Sequence, residues 1–142
     1  MISDSVDATE KIGAQLADEL EREYPGRLHF IMLEGALGVG KTAFTRGVAS
    51  RLSPGSRVKS PSYTIVNEYR LGEKPLFHFD LYRLGEEPDL QSIGFSEYVE
   101  GGHCIVEWSE FLGDEAPQDA VKVTMSAEAD GKRKIGITYP DR

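Results

Sequence analysis

The chain has one cysteine, one tryptophan, few basic residues and no apolar run approaching membrane-spanning length. A single thiol rules out an internal disulfide framework. Cys104 sits in the apolar run Cys104-Ile105-Val106, where it reads as a small buried hydrophobe of a reducing compartment. The first residues, Met1 to Asp7, are acidic and lack both the basic start and the apolar centre of a secretory signal, so a cytoplasmic location and no membrane association are expected. Sixteen Lys and Arg stand against 24 Asp and Glu, a net charge of −8. That balance repels polyphosphate backbones and disfavours direct, tight nucleic-acid binding. There is no Cys/His cluster with zinc-ligand spacing, no internal repeat, no low-complexity tract and no linker. At 142 residues, positions 1–142 read as one domain, large enough to bury roughly two-thirds of its unfolded surface without metals or disulfides.

Against these absences stands Gly35-Ala36-Leu37-Gly38-Val39-Gly40-Lys41-Thr42, which fits G-x-x-x-x-G-K-[ST]. The pattern has a physical basis. Glycines let successive backbone N–H groups turn inward around phosphates, the lysine reaches the β/γ oxygens, and the hydroxyl enters the shell of Mg²⁺. Its context agrees: Leu28 to Leu33 is a nearly unbroken apolar run, as in a strand buried on both faces. Phe44, Val48, Ala49 and Leu52 follow at helical spacing, which puts the loop at a helix N-terminus, where free N–H groups and the dipole favour an anion. Gly38, Val39, Gly40, Lys41, Thr42 and Ala43 are therefore the candidate nucleotide contacts, with Lys41 also acting in catalysis.

Elsewhere, Asp7 and Glu10 suggest a capping box for a helix whose face is Ile12, Leu16 and Leu20, ending before Pro25-Gly26. Tyr63 to Tyr69 and Leu76 to Asp80 flank a turn and suit a hairpin. Leu90 to Val99 reads as helical, interrupted near Gly94. His103 to Glu107 is a further buried strand, and Ala120 to Met125 pairs with Lys132 to Tyr139 around Ala129-Asp130-Gly131. The implied architecture is a three-layer α/β sandwich of the P-loop NTPase type, with a mixed parallel and antiparallel sheet.

Ligands of open α/β sheets bind beyond the carboxyl ends of the strands, which singles out Asp80 and Glu107, each the acid ending an apolar strand. Phosphoryl transfer to water needs a metal, a carboxylate to hold it and a group to orient the water. Asp80 is assigned to Mg²⁺, directly or through water, and Glu107 to the water or a shared metal position, with the reverse assignment as the alternative. Ser60 to Thr64 occupies the place of a switch loop, with Thr64 as a sensor of the γ-phosphate or simply part of a turn. Trp108 follows Glu107 and packs on the nucleotide, on a partner or in the core. By period two His78 shares a strand face with Asp80, as a support for the site or as a core histidine.

Together these motifs resemble the TsaE family, small ATPases of tRNA threonylcarbamoyladenosine modification. The resemblance runs from about Ile12 to Trp108. It rests on Gly35 to Thr42, Thr45-Arg46-Gly47, Val58 to Thr64, His78-Phe79-Asp80-Leu81-Tyr82-Arg83-Leu84 and Val106-Glu107-Trp108. It implies ATP rather than GTP, in keeping with the lack of an Asn-Lys-x-Asp motif. It also implies that Thr42 and Asp80 serve Mg²⁺, that Glu107 is needed for hydrolysis, and that Lys132 in the last hairpin lies near the nucleotide. The implied partners are the catalytic subunit of the threonylcarbamoyltransferase and its paralogous partner subunit, with tRNA reached only through that complex. This chain departs from the family pattern at Ala36, where Asp is usual. Cradling by backbone N–H groups is indifferent to that change, but any role of the missing carboxylate in metal or water placement is lost. Two other classes fit a phosphate loop: a small-molecule or nucleotide kinase, for which no arginine-rich lid is evident, and a regulatory nucleotide-binding module without hydrolysis.

Overall fold

A computed structural model describes residues 1–35, 40–59, 65–84 and 89–140, with backbone alone at 83, 84, 114 and 115. The chain opens with a two-residue strand, β1 (Ile2–Ser3), followed by α1 (Val6–Glu23). Ser5 caps α1 from an extended conformation, its hydroxyl accepting from the Ala8 N–H at 3.0 Å. The expected Asp7/Glu10 box is therefore corrected. The helix starts earlier, and Asp7 lies inside its first turn, where its charge suits the dipole.

Strand β2 (Phe30–Glu34) leads through the glycine loop into α2 (Lys41–Leu52). Strands β3 (Val66–Tyr69) and β4 (Leu76–Asp80) form the expected hairpin. Helix α3 (Phe95–Gly101), β5 (His103–Glu107), β6 (Val121–Ala127) and β7 (Arg133–Thr138) follow. The interruption near Gly94 is the start of α3, where Gly94 caps with φ 73°, a left-handed conformation. Short 3₁₀ segments at Leu81–Leu84 and Ser109–Glu115 follow β4 and β5. Like β1, they are too short to show a period in sequence.

The seven strands form one sheet in the order β1-β7-β6-β2-β5-β4-β3. Four central strands, β6, β2, β5 and β4, run parallel, and the outer ones are antiparallel. Alternation then sorts the side chains between two layers. Ile31, Leu33, Leu76, Ile105, Val121 and Val123 face α1 and α2, whereas Phe30, Phe77, Phe79, Cys104 and Val106 face α3 and Leu112. Phe79 meets Phe95 and Tyr98 edge-on, each at 5.3 Å between centroids. Among the described residues no helix is long and apolar enough to cross a membrane.

α1 and α2 touch through glycine. A Cβ on Gly13 would lie 2.3 Å from the Phe44 carbonyl oxygen, and one on Gly47 would lie 1.9 Å from that of Glu10. Backbone cannot yield as a side-chain tip can, so both positions exclude any larger residue. Gly47→Ala should destabilise the fold by about 1–3 kcal/mol, the usual range for overpacking. A urea midpoint equal to wild type would show that the helices separate freely.

At the opposite end of the sheet from the glycine loop, His29 and His103 stack at 4.9 Å, and the His29 N–H donates to His103 Nδ1 at 2.9 Å. Glu21 Oε1 lies 3.5 Å from His29 Nε2 and 3.9 Å from His103 Nε2. Burial, reinforced by His29 and Lys74, pushes the His103 pKa down to about 4. Because the folded value lies below the unfolded one, the unfolded chain binds the extra proton. Neutral His103 therefore supports the fold above about pH 6.5, and that support is lost as pH falls toward about 4, at most about 3 kcal/mol. His103→Gln should flatten the fall in melting temperature between pH 6.5 and 4.5. An unchanged slope would assign the acid sensitivity to other groups.

Candidate active site

The register of the parallel strands brings the site together. Glu107 ends β5, with its Cα paired to Leu33 of β2 on one side and to Asp80, the last residue of β4, on the other. The two strand-end acids are thus direct neighbours at the sheet edge from which the glycine loop departs toward α2. Gly40 closes that loop with φ 102° and ψ 22°, a left-handed conformation that disfavours any side chain. Its carbonyl accepts from the Phe44 N–H at 3.0 Å, in the first turn of α2.

Lys41, the first residue of α2, is 5% exposed. Its ammonium donates to the Gly35 carbonyl at 2.8 Å and lies 4.2 Å above the centroid of the Trp108 ring. Burial lowers its pKa from the ordinary lysine value, while Glu107, Asp80 and Glu110 pull it back up. Asp80 accepts from the Tyr82 N–H at 3.0 Å, which locks its carboxylate against the turn that follows β4. Burial raises the Asp80 pKa above the ordinary carboxyl value. The Tyr82 N–H opposes that rise, the Glu107 charge adds to it, and Lys41 and His78 lower it. One ammonium therefore faces two adjacent carboxylates in a poorly solvated corner.

Glu107 is 5% exposed, and its Oε2 lies 2.5 Å from Nε2 of the buried His78. The period-two argument thus put His78 on the right face, but its partner is Glu107, reached across strands. Trp108 is half-buried, with φ 60° and ψ 41°, the one non-glycine residue at positive φ among those described. Tyr82 packs against it at 4.9 Å and Phe111 at 5.8 Å. Trp108 thus lies beneath the lysine ammonium while its half-buried ring also packs against the core layer around Leu112. An αL conformation in a bulky residue is strain, held because ring contacts and the Ser109 hydroxyl, which donates to the Leu33 carbonyl at 3.3 Å, anchor the turn on both sides.

Thr42 lies in the first turn of α2, partly exposed. Ala43 and Gly40 line a cleft of about 260 Å³ together with Ser3, Ser5, Thr9, Gly131 and Arg133. The family resemblance points to the N-terminal region and the last hairpin but names only Lys132, because no local pattern links chain segments so far apart. Lys132 is exposed, its ammonium 3.9 Å from Asp130, and it lines the neighbouring surface with Ile2 and Glu128 rather than the cleft. Gly38, Val39 and Ala36, along with residues 60–64 that include Thr64, lie outside the described residues. Lys41, Asp80, Glu107 and Trp108 are brought together.

This fold is an α/β sandwich with a mixed seven-stranded sheet, whose strand-end acids meet the start of α2. Within that class, the family model described as threonylcarbamoyl adenosine biosynthesis protein TsaE matches residues 3–135, and the chain belongs to the TsaE family. It is 39% identical over 109 residues to the tRNA threonylcarbamoyladenosine biosynthesis protein TsaE of Bacillus subtilis, covering 76% of this chain and 68% of the relative. The TsaE of Haemophilus influenzae is 38% identical, covering 70% and 64%, and that of Treponema pallidum 38%, covering 75% and 79%. The crystal structure of Bacillus subtilis YdiB superposes with a TM-score of 0.80 at 30% identity, over 99% of this chain and 84% of that one.

As Trp108 is the sole tryptophan, the ammonium above it can be read optically. Lys41→Met should change the intensity or position of Trp108 emission without added ligand, since the charge over the indole is removed. Identical spectra would mean that the ammonium does not rest on the ring in solution.

Proposed function

We propose that this protein is an accessory ATPase of tRNA threonylcarbamoyladenosine synthesis. In this reading it binds the catalytic subunit of the threonylcarbamoyltransferase and its paralogous partner, and resets that complex by binding and hydrolysing ATP. The observation that carries the ATPase reading is the convergence of Lys41, Asp80 and Glu107 at one sheet edge, beside a G-x-x-x-x-G-K-T loop. The pathway and partners rest on family membership and on the names of the relatives. The net charge of −8 favours contact with tRNA only through the complex.

The residues fit a hard divalent cation. Two adjacent carboxylates, one with its pKa raised by burial, hold more negative charge than the single Lys41 ammonium offsets, and a hydroxyl and a carboxylate are the oxygen donors that Mg²⁺ prefers. Mg²⁺ ordinarily takes one or two protein oxygens and keeps water and phosphate oxygens in the rest of its shell. Thr42 and Asp80 would hold Mg²⁺, with Glu107 alongside, and the ion supplies neutralisation of charge on the phosphates.

The chain's own groups then have distinct tasks. N–H groups of Gly38, Val39, Gly40 and Ala43 and the Lys41 ammonium bind the phosphates, and the ammonium arrives already desolvated and held by the Gly35 carbonyl. Glu107 orients a water and takes its proton as the water oxygen bonds to the γ-phosphorus. The bond to the ADP oxygen breaks, leaving ADP and phosphate. The cleft beside Gly40 and Ala43 takes the nucleoside, with Arg133 at its wall and Lys132 outside it. Trp108 keeps water from the lysine.

Calorimetric titration of ATP, combined with phosphate release measured alone and with the transferase subunits, tests this reading. Glu107→Gln should hold ATP affinity within a few-fold while lowering turnover by on the order of 10² or more, as expected of a group acting mainly in the transition state. Normal hydrolysis by Glu107→Gln inside the complex would remove Glu107 from catalysis, and the absence of phosphate release under every condition would favour a non-hydrolysing module.

A further inference from the structure

His78 lies in the middle of β4 and is completely buried on the face turned toward α2, yet none of the tasks above uses it. Its ring makes two polar contacts, one on each nitrogen. Nε2 lies 2.5 Å from Glu107 Oε2, and Nδ1 lies 3.4 Å from the Tyr69 hydroxyl. Tyr69 is itself 8% exposed, at the end of the adjacent strand β3. The Lys59 N–H donates to the Tyr69 oxygen at 3.3 Å, so the phenolic hydrogen is free to point at His78 Nδ1 or at the Lys59 carbonyl, 3.4 Å away.

A phenol donating to Nδ1 leaves the imidazole hydrogen on Nε2, the atom that faces the carboxylate. Among the described residues, His78 is the only hydrogen-bond partner of the Glu107 side chain. A carboxylate with two rotatable bonds before its terminal torsion, held at one oxygen, has the other left to act. We propose that His78 is the positioning residue for Glu107. It fixes the carboxylate in the rotamer that reaches the attacking water, and Tyr69 sets the tautomer that makes this possible. The inference rests on the reading of Glu107 as the group that orients water. The contacts differ in strength as their lengths do. The short bond to a carboxylate is the stronger one, while those through Tyr69 are long and contribute mainly direction.

A purely structural histidine would alter stability and leave turnover per folded molecule alone, so kcat and KM are read separately. Phosphate release by the full chain with its transferase subunits is compared for wild type, His78→Leu, His78→Gln, Tyr69→Phe and Glu107→Gln, with folding checked by thermal melting. His78→Leu should lower kcat roughly 10–100-fold, the loss expected for one charge-assisted hydrogen bond, with KM for ATP within about threefold. His78→Gln, whose amide nitrogen reaches close to the Nε2 position, should recover most of that loss, and Tyr69→Phe should cost less than His78→Leu. Wild-type kcat in His78→Leu, or equal losses in the Leu and Gln variants, would overturn the proposal provided Glu107→Gln is inactive. An active Glu107→Gln would instead overturn the reading of the site itself. Should His78→Leu fail to fold, nitrogen-15 NMR of the imidazole decides the matter in wild-type protein. Hydrogen on Nε2, with its proton signal displaced in Glu107→Gln, supports the proposal, and hydrogen on Nδ1 alone overturns it.

Discussion

The parallel register of β2, β5 and β4 is the constraint on which the rest of the molecule depends. It sets Leu33, Glu107 and Asp80 side by side, and a slip of one residue would turn each acid to the opposite face of the sheet. That register is held by the two apolar layers, since Ile31, Leu33 and Ile105 must meet the paired helices while Phe30, Cys104 and Val106 meet α3. The chemistry of the edge and the packing of the core therefore cannot be altered independently.

Electrostatics at that edge work against the stability of the fold. Taking a lysine and two carboxylates out of water is costly, and the pKa directions of Lys41 and Asp80 record that cost. The compensation is local. Gly35 and Trp108 hold the ammonium, Tyr82 holds Asp80, and His78 holds Glu107. Each acid thus has its own support, Asp80 from the turn that follows it and Glu107 from the neighbouring strand, so neither relies on the other for its orientation.

Much of this was legible in the sequence, and the rest follows a physical pattern. Long apolar strands, both hairpins and the helix after the loop were readable because burial imposes a period. Asp80 and Glu107 were readable because each acid ends such a strand. The pairing of His78 with Glu107 was not, because period two places a residue on a face but says nothing of which strand lies beside it. The Ser5 cap was missed because a serine and an aspartate two residues apart offer equivalent chemistry, and only the backbone conformation distinguishes them. The cleft beside Gly40 depends on β1, whose two residues carry no signal.

The left-handed turn at Trp108 has a consequence for how the protein tolerates change. Glycine or asparagine would adopt that conformation with less strain, so substitutions that stabilise the backbone there are the ones that remove the indole from beneath Lys41. Selection for thermal robustness alone would push this position away from tryptophan. A consensus-guided or directed-evolution stabilisation of the fold should therefore hold Trp108 fixed and seek its gains elsewhere, because here resilience and function pull in opposite directions.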